Sequence, residues 1–135
     1  MGHNASRPDS IVRDLRAWHT TGLRIAIWGA GAEAAAFLQV HGVDAHRFPI
    51  VVDSDPGNSG RFMPGTGQIV HSPAWLLENP IDIILVPSPK QAPRIVREIE
   101  AAHIPYEGIL VPADGRLVDF HAASDLYPRT ELTPA

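Results

Sequence analysis

The segment RIAIWGAGAEAAAFLQVHGV, from Arg24 to Val43, constrains the fold of this chain more than any other. It opens on Arg24–Trp28, a nearly continuous apolar run, the pattern of a strand buried on both faces. The run ends in Gly29-Ala30-Gly31, and an alanine-rich segment from about Ala32 to His41 follows, with Gly42 placed to stop a helix. A strand that turns on glycines into a helix brings backbone N–H groups and the positive helix end to one point, where a phosphate can sit. The same turn can also serve geometry alone. Both readings stay open on the sequence.

The rest of the chain repeats the alternation. Ser10 is placed to N-cap a helix whose Ile11, Leu15 and Trp18 share a face, and Gly22 ends it. Phe48–Asp53 is a second strand ending in an acid, and Ile69–His71 a short third one. Ser72-Pro73 opens a helix over Ala74–Glu78, as cap followed by a proline at the first helical position. Ile81–Pro87 is the fourth strand. A charged helix covers Arg94–His103 with Ile95, Val96 and Ile99 inward, starting close to Pro93, and Ser88–Ala92 is left as loop. Glu107–Val111 is the fifth strand, closed by Pro112. Strands and helices alternating at this spacing imply right-handed crossovers and a parallel sheet. The expected fold is α/β, a Rossmann-like three-layer sandwich with a five-stranded, mainly parallel sheet in the order 3-2-1-4-5. It is expected over residues 10–120, between a flexible lead at 1–9 and a tail at 121–135.

Composition closes off several classes of function. A net charge of −4, from 11 basic and 15 acidic residues without a basic cluster, argues against a nucleic-acid backbone as partner. With no cysteine there is no disulfide, thiolate zinc site or cysteine nucleophile. Met1–Ser10 is polar and shows no signal peptide, and no apolar run approaches the roughly 18 residues of a membrane span. A soluble, cytoplasmic protein is expected, with no membrane partner. Of the seven histidines, His41 and His46 are five apart, while His71 and His103 stand alone at element ends. That spacing holds no metal motif, so no metal site is expected. No Gly-x-Ser-x-Gly elbow and no lysine-bearing phosphate loop occurs either.

The chemistry then concentrates at the carboxyl ends of the strands. Gly29 allows the tight turn, Gly31 lets backbone approach a phosphate, and Ala34 stands where the dinucleotide fingerprint has its third glycine. Asp53 lies about twenty residues on, where a carboxylate can accept hydrogen bonds from ribose hydroxyls. Its replacement by alanine is expected to weaken a ribose-bearing ligand and leave the fold nearly intact. Pro87-Ser88-Pro89-Lys90 follows the fourth strand and flanks the same crevice in a 3-2-1-4-5 order, so Ser88 and Lys90 can donate to a phosphate or substrate oxygen. The plainer alternative is a proline-stiffened connection with a solvated lysine. The binding set is therefore Gly29, Ala30, Gly31, Asp53, Pro87 and Ser88. His71 is expected on the crevice side, able to titrate near neutrality, with a capping or exposed imidazole as the alternative. Trp18, Trp28 and Trp75 read as core or helix-packing residues. The polar, glycine-rich loop Ser54–Gln68 is long for a compact domain and is assigned to ligand or partner selectivity. In it Arg61 would meet an anion, and Phe62 with Met63 would cover an apolar face. The alternative has Phe62 pinning the loop and Arg61 solvated.

From Ile27 to about Phe120 the chain resembles the C-terminal domain of the sugar C-methyltransferases that act on nucleotide-linked deoxysugars. The shared stretches are WGAGAEA, VVDSDPGNSGRFMPGTGQIVHSP, DIILVPSP and EGILVP. The resemblance implies a Rossmann-like domain that sits beside a separate domain binding S-adenosylmethionine. No such methyltransferase domain is read upstream here, and PSPKQAP differs from the tryptophan- and asparagine-containing loop usual in the family. What carries over is a fold and a binding surface. A binding or accessory domain for a nucleotide, nucleotide-sugar or NAD(P)-like small molecule in specialised biosynthesis is therefore expected. Two alternatives stand beside it: a small enzyme using His71 or Asp53 for acid–base chemistry, and a subunit completing a partner methyltransferase in trans. A larger biosynthetic enzyme and self-association are the protein partners expected.

Overall fold

The computed structural model describes residues 10–122. The first strand decides the architecture. All four residues of β1 (Ile25–Trp28) are buried, so each face of the sheet must carry a layer of its own. Parity then sorts the side chains. Ile25 and Ile27 point to one face, against α1 (Ser10–Thr20) and α2 (Ala32–Val40), in a core that includes Ile11, Leu15, Ala34 and Leu38. Ala26 and Trp28 point to the other, against α3 (Trp75–Glu78) and α4 (Ala92–Ala101), with Leu76, Ile95, Val96 and Ile99. Three layers result.

Beside β1 lie β2 (Ile50–Val52) and β4 (Ile83–Leu85), both parallel to it, with Ala26 level with Ile50 and with Ile84. Outside them run β3 (Val70–His71) and β5 (Gly108–Ala113), also parallel. A sixth strand, β6 (Arg116–Asp119), pairs antiparallel with β5, and the full order is β3-β2-β1-β4-β5-β6. The expected order is therefore present with one strand added. Asp114 and Gly115 make the connecting turn at φ 53° and 77°, the positive φ pair of a two-residue hairpin. Asp-Gly between two apolar runs is a hairpin signal. The strand goes unread in the sequence because Pro112 looks like a strand end, whereas it sits inside β5 opposite Leu117.

Other boundaries shift for local reasons. Ser10 is itself the first helical residue of α1 rather than its cap. Ser72 makes no side-chain cap, because its carbonyl and that of Pro73 accept the N–H groups of Trp75 and Leu76 (3.1 and 3.0 Å) in a tight turn that delays α3. The lead at 1–9 and the tail from 123 onward lie outside the described residues. No described helix is long and apolar enough to cross a membrane.

The loop Ser54–Gln68 departs most from expectation. Its sequence looks too polar for core, yet Met63 and Gln68 are 2% and 1% exposed. The Gln68 amide donates to the carbonyls of Val43 (2.9 Å) and Phe48 (3.1 Å), and its oxygen accepts from Thr66 Oγ1 (2.6 Å). Met63 N–H donates to Gln68 O, and Val70 N–H to Arg61 O, both at 2.8 Å. Residues 61–63 thereby cover the outer edge of β3 and remove an exposed row of strand groups.

Candidate crevice at the carboxyl end of the sheet

Where the strand order reverses, the connections leaving β1 and β4 diverge to opposite faces and leave a gap between them. The gap here is a crevice of about 310 Å³. Its first wall is the glycine turn. Gly29 holds φ 135°, which a residue with Cβ adopts only under strain, and its N–H donates to Val52 O at 2.8 Å. A Cβ placed on Gly29 would lie 3.5 Å from Ala34 Cβ, so the small residue at 34 lets α2 close on the turn. Gly31 is the N-cap of α2 and supplies no side-chain cap, and Gly31, Ala32 and Glu33 line the crevice. The first-turn N–H groups of α2 have no intrahelical acceptors and carry the positive end of the helix dipole.

Asp53 forms the second wall. Its Oδ1 accepts from Ala30 N–H (3.1 Å), and its Oδ2 from Asp55 N–H (3.1 Å) and Asn58 Nδ2 (2.9 Å). An ionised carboxylate has about four acceptor directions, so about one is left for a ligand hydroxyl. The carboxylate thus ties the glycine turn to the loop after β2. Asp55 caps the short 3₁₀ turn Pro56–Asn58 by accepting from Gly57 N–H at 2.9 Å.

Ser88 and the first turn of α4 make the third wall, with Gln91, Arg94 and Ile95. Ser54 Oγ donates to Glu98 Oε1 at 2.6 Å, joining the loop after β2 to α4. Arg94 donates to the same Glu98 oxygen at 3.4 Å and to Gln91 Oε1 at 3.2 Å. The rim is therefore charged and internally paired. The interior differs. Ser88 is 7% exposed and Trp28 2%, and neither Ser88 Oγ nor Trp28 Nε1 has a hydrogen-bond partner among the described residues.

Of the residues assigned from sequence, the crevice brings together Gly29, Gly31, Asp53 and Ser88, with Ala30 entering through its N–H. Pro87 is buried behind the crevice, and Lys90 is exposed and does not line it. Arg61 and Phe62 line a separate depression of about 300 Å³ with Ala30, Asn58, Met63 and Val70. Phe62 is 69% exposed, so Met63, not Phe62, pins this loop. His71 belongs to a larger groove of about 560 Å³ near Phe48, Ile50 and Asn79, and its ring stacks on Trp75 at 3.9 Å. Burial there pushes the His71 imidazole below its ordinary range. No cluster of metal-ligating side chains occurs among the described residues. Sequence reasoning left out Asn58, Gln91 and Arg94. A usable signal was Pro93, which marks a helix start and so sets Gln91 at the cap and Arg94 in the first turn of the helix that follows β4.

Residues 5–110 match the family model of the C-methyltransferase C-terminal domain. No curated protein matches the chain. Among solved structures it is similar to UDP-D-quinovosamine 4-dehydrogenase from Vibrio fischeri, with 16% identity and TM-score 0.50 over 70% of this chain and 90% of that one. RSP, a Rex-family repressor, is similar at 19% identity and TM-score 0.43, over 76% of this chain and 54% of its own. The Vibrio likeness bears on the fold, a Rossmann-like α/β sheet.

Proposed function

This chain belongs to the C-methyltransferase C-terminal domain family, and we propose that it serves as a binding or accessory domain for a nucleotide or nucleotide-sugar-like small molecule in specialised biosynthesis. The observation that carries the reading is the crevice at the reversal of strand order. An uncapped helix start, a ribose-competent carboxylate and a buried serine line one cavity there. Its 310 Å³ stands at the small end of the roughly 300–1,000 Å³ typical of ligand sites. That is room for one ring-bearing unit, with the remainder of a longer ligand running out over the glycine turn. In this reading the first-turn N–H groups of α2 meet the phosphate, and the open direction of Asp53 takes a hydroxyl.

The acid–base alternative lacks support from its two groups. Asp53 is occupied by three internal donors, and His71 lines a different groove. Calorimetric titration of the full chain with UDP-glucose and dTDP-glucose tests the proposal. Saturable one-to-one binding of either supports it. Absence of binding by both sugars and by free UDP and dTDP would remove the crevice as a nucleotide site.

A further inference from the structure

The buried polar atoms of the crevice say more about its occupant than the rim does. Trp28 Nε1 and Ser88 Oγ are both buried and both without a partner among the described residues, and both residues line the crevice. Native folds leave few buried polar groups unpaired, because each costs the full desolvation of that group. Two at one cavity are therefore a signal that the partner comes from elsewhere. The indole N–H can only donate, while the serine hydroxyl can donate or accept. An occupant that satisfies both must bring an acceptor.

Charge narrows its nature. Glu33, Asp53 and Asp55 line the crevice against one guanidinium, Arg94, which Glu98 and Gln91 already engage. These carboxylates stand at the mouth, Glu33 and Asp55 exposed and Asp53 half-buried, so an anion would have to pass them with no free cation among the described residues waiting inside, and the acceptor is neutral. Apolar surface is offered by Ile95, which shares a core cluster with Trp28, and by Ala34 across the crevice. A bare sugar would set hydroxyls against those side chains. A heteroaromatic ring would set its face there and its edge against the two donors, leaving attached hydroxyls for the carboxylate rim.

We propose that Trp28 and Ser88 read the edge of a nucleobase, Trp28 donating to a ring carbonyl or ring nitrogen, with the ribose toward Asp53. This rests on the nucleotide reading above and adds which part of the ligand enters and which residues select it. The donors then hold a partner only in the complex, and the unliganded fold carries their cost.

The test is calorimetric titration of the full chain with uridine, adenosine, methyl glucoside and inorganic pyrophosphate, for the wild type, Trp28→Phe and Ser88→Ala. The nucleoside arms distinguish a carbonyl from a ring-nitrogen acceptor. Wild type is expected to bind at least one nucleoside and not methyl glucoside, and each substitution to weaken that nucleoside by about 5- to 10-fold while leaving any pyrophosphate binding unchanged. Thermal unfolding of unliganded Ser88→Ala is expected at or above the wild-type midpoint, since it removes an unpaired polar group with little change in volume, whereas Trp28→Phe also shrinks a buried core side chain and is expected somewhat below it. If wild type binds nucleosides and both variants bind them equally well, ordered water satisfies the two donors and this inference fails while the nucleotide reading stands. If wild type binds only pyrophosphate, the crevice takes an anion and base reading is wrong. Binding of neither nucleosides nor UDP-glucose overturns both readings. Should Trp28→Phe not fold, exchange of the Trp28 indole proton by NMR replaces it. Exchange slowed by a bound nucleoside supports the contact, and exchange unaltered at saturation rejects it.

Discussion

The loop Ser54–Gln68 and the floor of the crevice look, in sequence, like each other's opposite, and in structure they exchange roles. The loop is polar and glycine-rich, the composition of an open binding segment. It is nevertheless tied down, with Gln68 saturated, Asp55 capping, Asn58 on Asp53 and Met63 in the core. The floor is made by a tryptophan and a proline-flanked serine, which read as packing and connection. There the polar atoms are left unmatched. Satisfied polar groups make a scaffold, and unsatisfied buried ones make a place for something else. Appearance of flexibility is thus a poor guide here, and the state of the hydrogen bonds a better one.

Stability measurements can break this contrast. The largest effect is expected at Met63→Ala, a loss of about 3 kcal/mol from a core truncation in a segment that sequence alone would leave outside the core. A loss under about 0.5 kcal/mol in urea unfolding would return the loop to the surface. Asp53→Ala is expected next, at about 2 kcal/mol, because the Ala30 and Asp55 N–H groups and the Asn58 amide lose a charged acceptor. This revises the expectation that the substitution leaves the fold nearly intact, and unfolding curves without ligand will decide between them. Arg61→Ala and Phe62→Ala, at exposed positions, are expected to move stability by no more than about 0.5 kcal/mol. A larger loss from Phe62→Ala would make it a true anchor.

The smallest effect concerns pH. Burial disfavours the charged His71 ring, so the unfolded chain takes the proton first as pH falls. The His71 contribution is complete above about pH 6.5 and declines as pH falls toward the lowered folded value. His71→Gln should therefore flatten the change in urea midpoint between pH 7.5 and 5.5. Parallel profiles for the two proteins would show that His71 carries none of it.

What could be read from sequence follows from the range of each interaction. The parallel order of five strands was legible because burial on both faces, helix periodicity and glycine stops are local signals. Asp53 was legible as a crevice residue because its place at the end of β2 is local too. Its three internal hydrogen bonds were not, since they depend on how a turn 23 residues earlier folds against it. Gln68 is hidden for the same reason, its acceptors lying 25 and 20 residues back at Val43 and Phe48. Strand parity already buries Trp28. Whether its indole finds a partner depends on β4 and α4, more than fifty residues away.

The central claim is that a ligand enters the crevice between the glycine turn and α4. Backbone amide and indole NMR shifts during titration of the full chain with UDP-glucose and dTDP-glucose test it most directly. The account predicts that the largest changes fall on Gly31, Ala32, Ser88 and the Trp28 indole, with Arg61 and His71 little moved. Changes centred on Arg61 and Phe62, or on His71 and Trp75, would place the site elsewhere and contradict it.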